Sequence, residues 1–275
     1  MKASYAHYTL HFRQPAGTSR GVLTDKETYF LKLEDEDMPG VFGLGECAVF
    51  RGLSADDVPA YEDKLRELCA NISADKETDL HEFPSIRFGL ETAINDFANG
   101  CRRQPFPSDF TEGMSAIPIN GLVWMGTKEE MLHRIDDKIK AGFTTIKLKV
   151  GAIDTESELD LVRHIRKVFP PEVLTIRLDA NGGFTPDNAL QKLSDFARYG
   201  IHSIEQPIKQ GQWEAMRRIC SESPIDIALD EELIGIHTPE RMGEMLDAVR
   251  PKYIILKPSL IGGFSGSQDW IMQAA

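Results

Sequence analysis

The sequence predicts an α/β protein whose C-terminal part is a parallel sheet of βα units and whose N-terminal part is a smaller α+β domain. Three observations predict it. From about Ile117 onward, short β-rich runs alternate with amphipathic helical stretches, the rhythm of right-handed βαβ units. Before that point the apolar residues follow first the period-two alternation of a hairpin and then a helical spacing. Between the two regions the Pro-rich patch Gln104-Pro105-Phe106-Pro107-Ser108 breaks both patterns, which divides the chain into residues 1–110 and 111–275.

Residues 5–13 and 28–34 alternate apolar and polar side chains, and Gly17-Thr18-Ser19-Arg20-Gly21 between them reads as a flexible loop. Together they predict an antiparallel hairpin with a long connection. Helices follow over 55–72 and 86–100, the second with Leu90, Ile94 and Phe97 at helical spacing. In the C-terminal region strands are expected at 117–119, 144–150, 175–180, 203–206, 226–230 and 253–257. The intervening helices have legible starts. Thr127 and Glu130 have the spacing of a capping box, and Thr185-Pro186 and Thr238-Pro239 each place an N-cap before a proline. Leu159, Val162 and Ile165 mark a buried helical stripe. This rhythm suits an open doubly wound sheet or a (β/α)8 barrel, and no Gly-x-Gly-x-x-Gly follows a strand to favour the dinucleotide-binding form of the former.

Composition narrows the function classes. An apolar fraction of 41% over 275 residues suits a globular protein. The 43 acidic residues outnumber the 31 basic ones and are dispersed, so the net charge of −12 argues against nucleic acid, which needs clustered Lys and Arg. No apolar run reaches membrane-spanning length, and the N-terminus lacks a signal-peptide core. Cys47, Cys69, Cys101 and Cys220 form no CxxC pair, so they read as reduced thiols of a cytoplasmic protein. The oligomeric state is not legible.

The chemistry lies in how the strand-like runs end. The second ends on Lys147-Leu148-Lys149, the third on Asp179-Ala180-Asn181 and the fourth on Glu205-Gln206-Pro207. The fifth ends on Asp230-Glu231-Glu232 and the sixth on Lys257-Pro258-Ser259. In a β/α barrel these ends converge on one mouth, where catalysis is located. Asp179, Glu205 and Asp230 offer only oxygen donors and suit a hard cation, Mg2+ with Mn2+ as an alternative. Without one, three converging carboxylates repel each other and at least one takes up a proton. Lys147 and Lys149 leave the same face of their strand, and a partly desolvated lysine near other cations is expected to have a lowered pKa, fit for use as a base. The set suits proton abstraction next to a carboxylate: a metal to neutralise the developing enolate, and Lys149 and Lys257 on opposing sides to move the proton. A single Asp at a strand end is more often a helix cap, and a single Lys more often solvated. Five consecutive ends in the order Lys-x-Lys, Asp, Glu, Asp, Lys point beyond such structural roles.

These motifs resemble the enolase superfamily and its muconate-lactonizing subgroup. Within it, residues 19–24, 43–47, 119–126 and 257–263 are similar to the o-succinylbenzoate synthase family. The resemblance implies a (β/α)8-type barrel behind an α+β capping domain, and a small-molecule carboxylate substrate. It implies a Mg2+-dependent lyase of menaquinone biosynthesis. The reaction would be syn dehydration of 2-succinyl-6-hydroxy-2,4-cyclohexadiene-1-carboxylate to o-succinylbenzoate through a metal-stabilised enediolate. Asp179, Glu205 and Asp230 would hold the metal, Lys149 would act as base and then acid, Lys257 would stabilise charge across the ring, and Lys147 would assist at the carboxylate. Arg20 and Arg51 on the capping loops, with Ser259 and Gly262, would contact substrate. The same template also serves N-succinylamino acid racemases and dipeptide epimerases, and a non-catalytic binding subunit is the reading of a different class. A full barrel typically needs ~200 residues or more. The six strands here, with a chain that stops inside the sixth helix, predict a piece of a longer protein or one that another chain completes, not fully active alone.

Overall fold

The structure, a computed structural model, describes residues 1–18 and 21–275. Strands β1 (Lys2–Thr18) and β2 (Gly21–Glu34) form an antiparallel hairpin, and β3 (Phe42–Cys47) pairs with β2. Pairing continues to Thr18↔Gly21, after a register shift between His11 and Ala16, so the connection is shorter than the sequence suggests. Arg20 lies outside the described residues. Tyr29, Leu31 and Leu33 point to one side of β2 and are buried. The helices that follow are α1 (Tyr61–Ser73) and α2 (Pro84–Ala98).

Two details of this N-terminal unit differ from the sequence reading. Helix α1 starts later than residue 55 because Asp57 holds the preceding segment in turns, accepting from Gly52 N at 2.7 Å. Helix α2 buries Ile86, Gly89 and Ala93, while Ile94 is 49% exposed. The reason is close backbone approach: a Cβ on Gly45 of β3 would stand 1.8 Å from the Gly89 carbonyl oxygen, so glycine is required on this strand.

The C-terminal unit runs β4 (Gly121–Val123), α3 (Lys128–Lys140), β5 (Thr145–Lys149), α4 (Thr155–Arg166), β6 (Thr175–Asp179), α5 (Ala189–Ala197) and β7 (Ser203–Glu205). It continues through α6 (Trp213–Glu222), β8 (Asp226–Leu229), α7 (Pro239–Val249), β9 (Tyr253–Ile254), α8 (Pro258–Ile261) and α9 (Gly263–Ala274). Among the described residues, β4 to β9 form a six-stranded parallel sheet in sequence order. Strand order without a reversal has no topological switch point, so the sheet is of the (β/α) barrel type and not doubly wound. Leu148, Leu178 and Leu229 are buried with the stripe Leu159, Val162 and Ile165 in one core cluster.

The first strand of this sheet is displaced from the expected position. Residues Ile117 and Ile119 are 56% and 69% exposed, and pairing begins at Gly121, with Val123 fully buried. Thr127 and Glu130 form the capping box, and Thr238 caps α7 by accepting from Arg241 N. Thr185-Pro186 instead forms a turn, joined to Asn188 through Thr185 N→Asn188 Oδ1 at 3.0 Å, so α5 starts at Ala189.

The two units meet at several places, among them the His81–His237 ring pair at 5.5 Å and the Phe106–Phe264 pair at 4.5 Å. Leu53 packs against the barrel core, and a Cβ on Gly17 would lie 2.7 Å from the Met125 carbonyl oxygen just past β4. The Glu91 carboxylate of α2 also accepts from Ser265 N at 3.3 Å and from Phe264 N and Ser265 Oγ, capping α9 from the other unit. Among the described residues, no helix is long and apolar enough to cross a membrane.

Candidate functional site

Strand register places the charged ends side by side. Lys149 pairs with Asp179 between β5 and β6, and Asp179 pairs with Glu205 between β6 and β7. In-register parallel neighbours send these three side chains from one face at one height. Glu205 pairs with Ala228, and Asp230 follows two residues later, with the same parity. Lys257 stands three residues past the end of β9, at the start of α8.

The side chains are mutually paired, and the three acids and Lys149 are buried while Lys147 and Lys257 are partly exposed. Asp179 is fully buried, Glu205 and Asp230 are 5% and 2% exposed, and Lys149 is 8% exposed. Lys147 Nζ lies 2.8 Å from Asp179 Oδ2 and 2.6 Å from Glu205 Oε2. Lys149 Nζ donates to Asp179 Oδ2 at 2.7 Å and to Asn181 Oδ1 at 2.6 Å, and Asn181 Nδ2 donates to Glu231 Oε1 at 2.9 Å. Lys257 donates to Asp230 and lies 4.0 Å from Glu205 Oε1. The structure thus brings all six predicted metal and proton-transfer residues into one cluster.

Electrostatics separates the three carboxyl groups. Burial pushes Asp179 up, but the Lys147 and Lys149 ammonium groups outweigh it and hold the carboxyl at about 2. Burial and the charge of Asp179 push Glu205 up to about 8, with Asp230 adding and Lys147 opposing. Burial also raises Asp230, against the attraction of Lys257. A proton on one of three crowded carboxylates is the outcome expected from like-charge repulsion. For Lys147 the expectation of a lowered value is corrected, and Lys257 behaves in the same way. Burial works against their charge, but Asp179 and Glu205 around Lys147, and Asp230 beside Lys257, hold both above the ordinary lysine range. Their neighbours are carboxylates, not cations.

The chemistry of the cluster fits a hard divalent cation. Its donors are all oxygen, and the buried Glu205 Oε1 accepts no hydrogen bond among the described residues. No group of three acidic, imidazole or thiol side chains among the described residues is gathered in cation-holding geometry. The ammonium group of Lys147 instead sits between two of the carboxylates. Two residues beside the acids carry left-handed backbone, Asn181 at φ +44° and Gln206 at φ +40°, a conformation that costs energy outside glycine and gathers at functional sites. Asn181, Glu231 and Gln206 also join the cluster, although the strand-end motifs assign them no role. Their signal is polar residues just past a strand end where loop solvation would otherwise suffice.

The predicted substrate contacts are spread more widely. Arg51 pairs with Glu27 at 2.9 Å and Asp57 at 2.7 Å, neither of which belongs to the strand-end cluster. Ser259 lies in α8, and Gly262 ends it at φ +97°, near Arg87 of α2. A cavity of about 330 Å³ opens on the inner sheet face toward the strand starts, lined by Lys147, Glu205, Arg177, Ser203 and Tyr253. A larger surface groove, about 840 Å³ along residues 211–221, touches none of the cluster.

Parallel βα units in sequence order, with acids and lysines on successive strand ends, define a class. The chain belongs to the enolase C-terminal domain-like family, whose profile matches residues 130–275. It is similar to the o-succinylbenzoate synthase of Desulfotalea psychrophila, 42% identical over 98% of this chain and 82% of that protein. The crystal structure of MenC from Desulfotalea psychrophila LSv54 superposes with a TM-score of 0.86 at 39% identity, covering 100% of this chain and 83% of that one. The o-succinylbenzoate synthase of Thermosynechococcus elongatus BP-1, solved with Mg in the active site, gives a TM-score of 0.80 at 25% identity and covers 100% of this chain and 82% of that one. The L-Ala-D/L-Glu epimerase of Bacillus subtilis is 31% identical over 83% of this chain and 65% of that protein.

Proposed function

We propose that the chain is a Mg2+-dependent carbon–oxygen lyase of the o-succinylbenzoate synthase type, dehydrating 2-succinyl-6-hydroxy-2,4-cyclohexadiene-1-carboxylate to o-succinylbenzoate. The observation that carries this reading is the in-register row Lys149, Asp179 and Glu205, with Asp230 two residues beyond it. The relatives' names supply the particular reaction.

In this reading residues 1–110 are the capping domain and residues 111–275 the barrel domain. Asp179, Glu205 and Asp230 would hold Mg2+, or Mn2+ by the same oxygen preference, and the ion would supply positive charge to offset the negative charge that develops as the α-proton leaves. Lys149, fixed by Asp179 and Asn181, takes that proton in its neutral form and returns it to the departing hydroxyl on the same face, so that water leaves. The C–H bonding pair becomes the new ring double bond. Lys257 holds positive charge from the far side of the row, and Lys147 orients the substrate carboxylate. Ser259 and Gly262, in and at the end of the short helix that follows Lys257, and Arg20 and Arg51 on the capping loops are the proposed substrate contacts. Arg51 plays this part by exchanging Glu27 or Asp57 for a substrate carboxylate. Packing of Leu53 against the barrel core supports placing the Arg51 loop at its mouth. The free cysteines support a reducing, cytoplasmic setting.

A second reading, racemisation or epimerisation, is favoured by one observation: Lys149 and Lys257 reach the acids from opposite edges of the row, as a two-base proton transfer requires. Parallel assays with the dehydration substrate and an N-succinyl amino acid separate the two. Dehydration is the expected result; racemisation without dehydration would overturn it.

A further inference from the structure

The amide of Gln206 has no solvent exposure and no spare hydrogen-bonding capacity. Its Oε1 accepts from Asp230 N at 3.1 Å and Glu232 N at 3.2 Å. Its Nε2 donates to Ile208 O at 3.0 Å and Glu232 Oε2 at 3.0 Å. Two lone pairs and two protons are thus used, which is all a primary amide offers. The backbone of the same residue adds two more links: Gln206 N donates to Ala228 O at 2.8 Å, and Gln206 O accepts from Gly182 N at 2.7 Å.

These links run in three directions. Gly182 belongs to the loop after Asp179, Gln206 directly follows Glu205, and Asp230 is itself held through its backbone amide. One buried residue therefore joins the three strand ends that carry the carboxylates. Reaching Gly182 with its carbonyl, while its side chain reaches the loop after β8, coincides with a left-handed backbone, φ +40°, which a residue other than glycine adopts at a cost. Glu232 extends the arrangement by accepting from Gly211 N at 2.7 Å.

The geometry points to Gln206 as a positioning residue for the divalent ion: it sets the spacing of Asp179, Glu205 and Asp230 without touching the ion. This rests on the metal assignment made above for those three acids. Partners that orient metal ligands typically change affinity ten- to a hundredfold when removed, and Mg2+ demands near-ideal octahedral geometry where larger ions are more tolerant.

The test is Mg2+ and Mn2+ titration by calorimetry of the parent chain and of Gln206→Met, which keeps side-chain length and removes the amide, with thermal melting of both in the absence of metal. The expected result is a folded variant whose Mg2+ affinity falls at least roughly tenfold and whose Mn2+ affinity falls less. A lower melting temperature with unchanged affinity for both ions would show a merely structural role and overturn the inference. If Gln206→Met does not fold, Glu232→Gln decides, since it leaves one oxygen to serve both Gln206 Nε2 and Gly211 N. Weakened Mg2+ binding supports the inference, and unchanged binding overturns it. A parent chain that binds neither ion overturns the metal assignment itself, and the inference with it.

Discussion

The ammonium group of Lys149 and the carboxylate of Asp179, paired in register on adjacent strands, meet at 2.7 Å with both residues buried. The proposed proton-transfer group is thereby fixed against the proposed metal site by strand register. Asn181 holds the same ammonium group at 2.6 Å, so its position is set from two sides.

Lys149→Ala is expected to fold, because Asp179 keeps Lys147 at 2.8 Å as a partner for its buried charge. Turnover should fall roughly a hundred- to ten-thousandfold, the usual span for loss of a general base. Steady-state kinetics beside a circular dichroism melt checks this. A folded variant retaining a tenth of parental turnover would remove Lys149 from the proton-transfer role.

Mg2+ binding should release a proton near neutral pH. Glu205, pushed up to about 8 by burial and by Asp179, is mostly protonated at pH 7, and a cation bound to its carboxylate displaces that proton. Mg2+ affinity therefore rises with pH and levels off above about 8. The stability linkage has a definite sign as well: a carboxyl raised above its unfolded value stabilises the fold below that value, and the contribution is lost as pH rises through about 8. Calorimetry at pH 7 in two buffers of different ionisation enthalpy should register about one proton released. No buffer dependence would contradict it.

Gly45→Ala should destabilise the N-terminal unit by about 3 kcal/mol, the upper end for overpacking, since the added Cβ meets the backbone oxygen of Gly89 at 1.8 Å and a carbonyl cannot rotate away as a side chain can. Thermal melting measures it. An unchanged melting temperature would mean that α2 and β3 approach less closely.

Much of the site was legible because buried parallel strands read as apolar runs, against which a terminal Asp, Glu or Lys stands out. Asp179 and Glu205 needed only that pattern to be placed beside each other. The first barrel strand was misplaced because Ile117 and Ile119 have strand-like side chains yet lie exposed, whereas Gly121 carries no such signal and is buried by its neighbours. Thr185-Pro186 imitates a helix start, but the Asn188 side chain turns the chain first. The links of Gln206 to Asp230 and Glu232, and of Glu91 to Ser265, join residues far apart in the chain, and local patterns carry no record of such partners. The sign of the lysine shifts depended likewise on knowing that carboxylates, not other cations, surround them.

The central claim is that Asp179, Glu205 and Asp230 together hold one divalent cation. Calorimetric titration of Mg2+ into the parent chain and into Asp230→Ala tests it most directly. The account predicts a single saturable site in the parent and at least a roughly tenfold weaker one in the variant. Equal Mg2+ affinity in the two would contradict it.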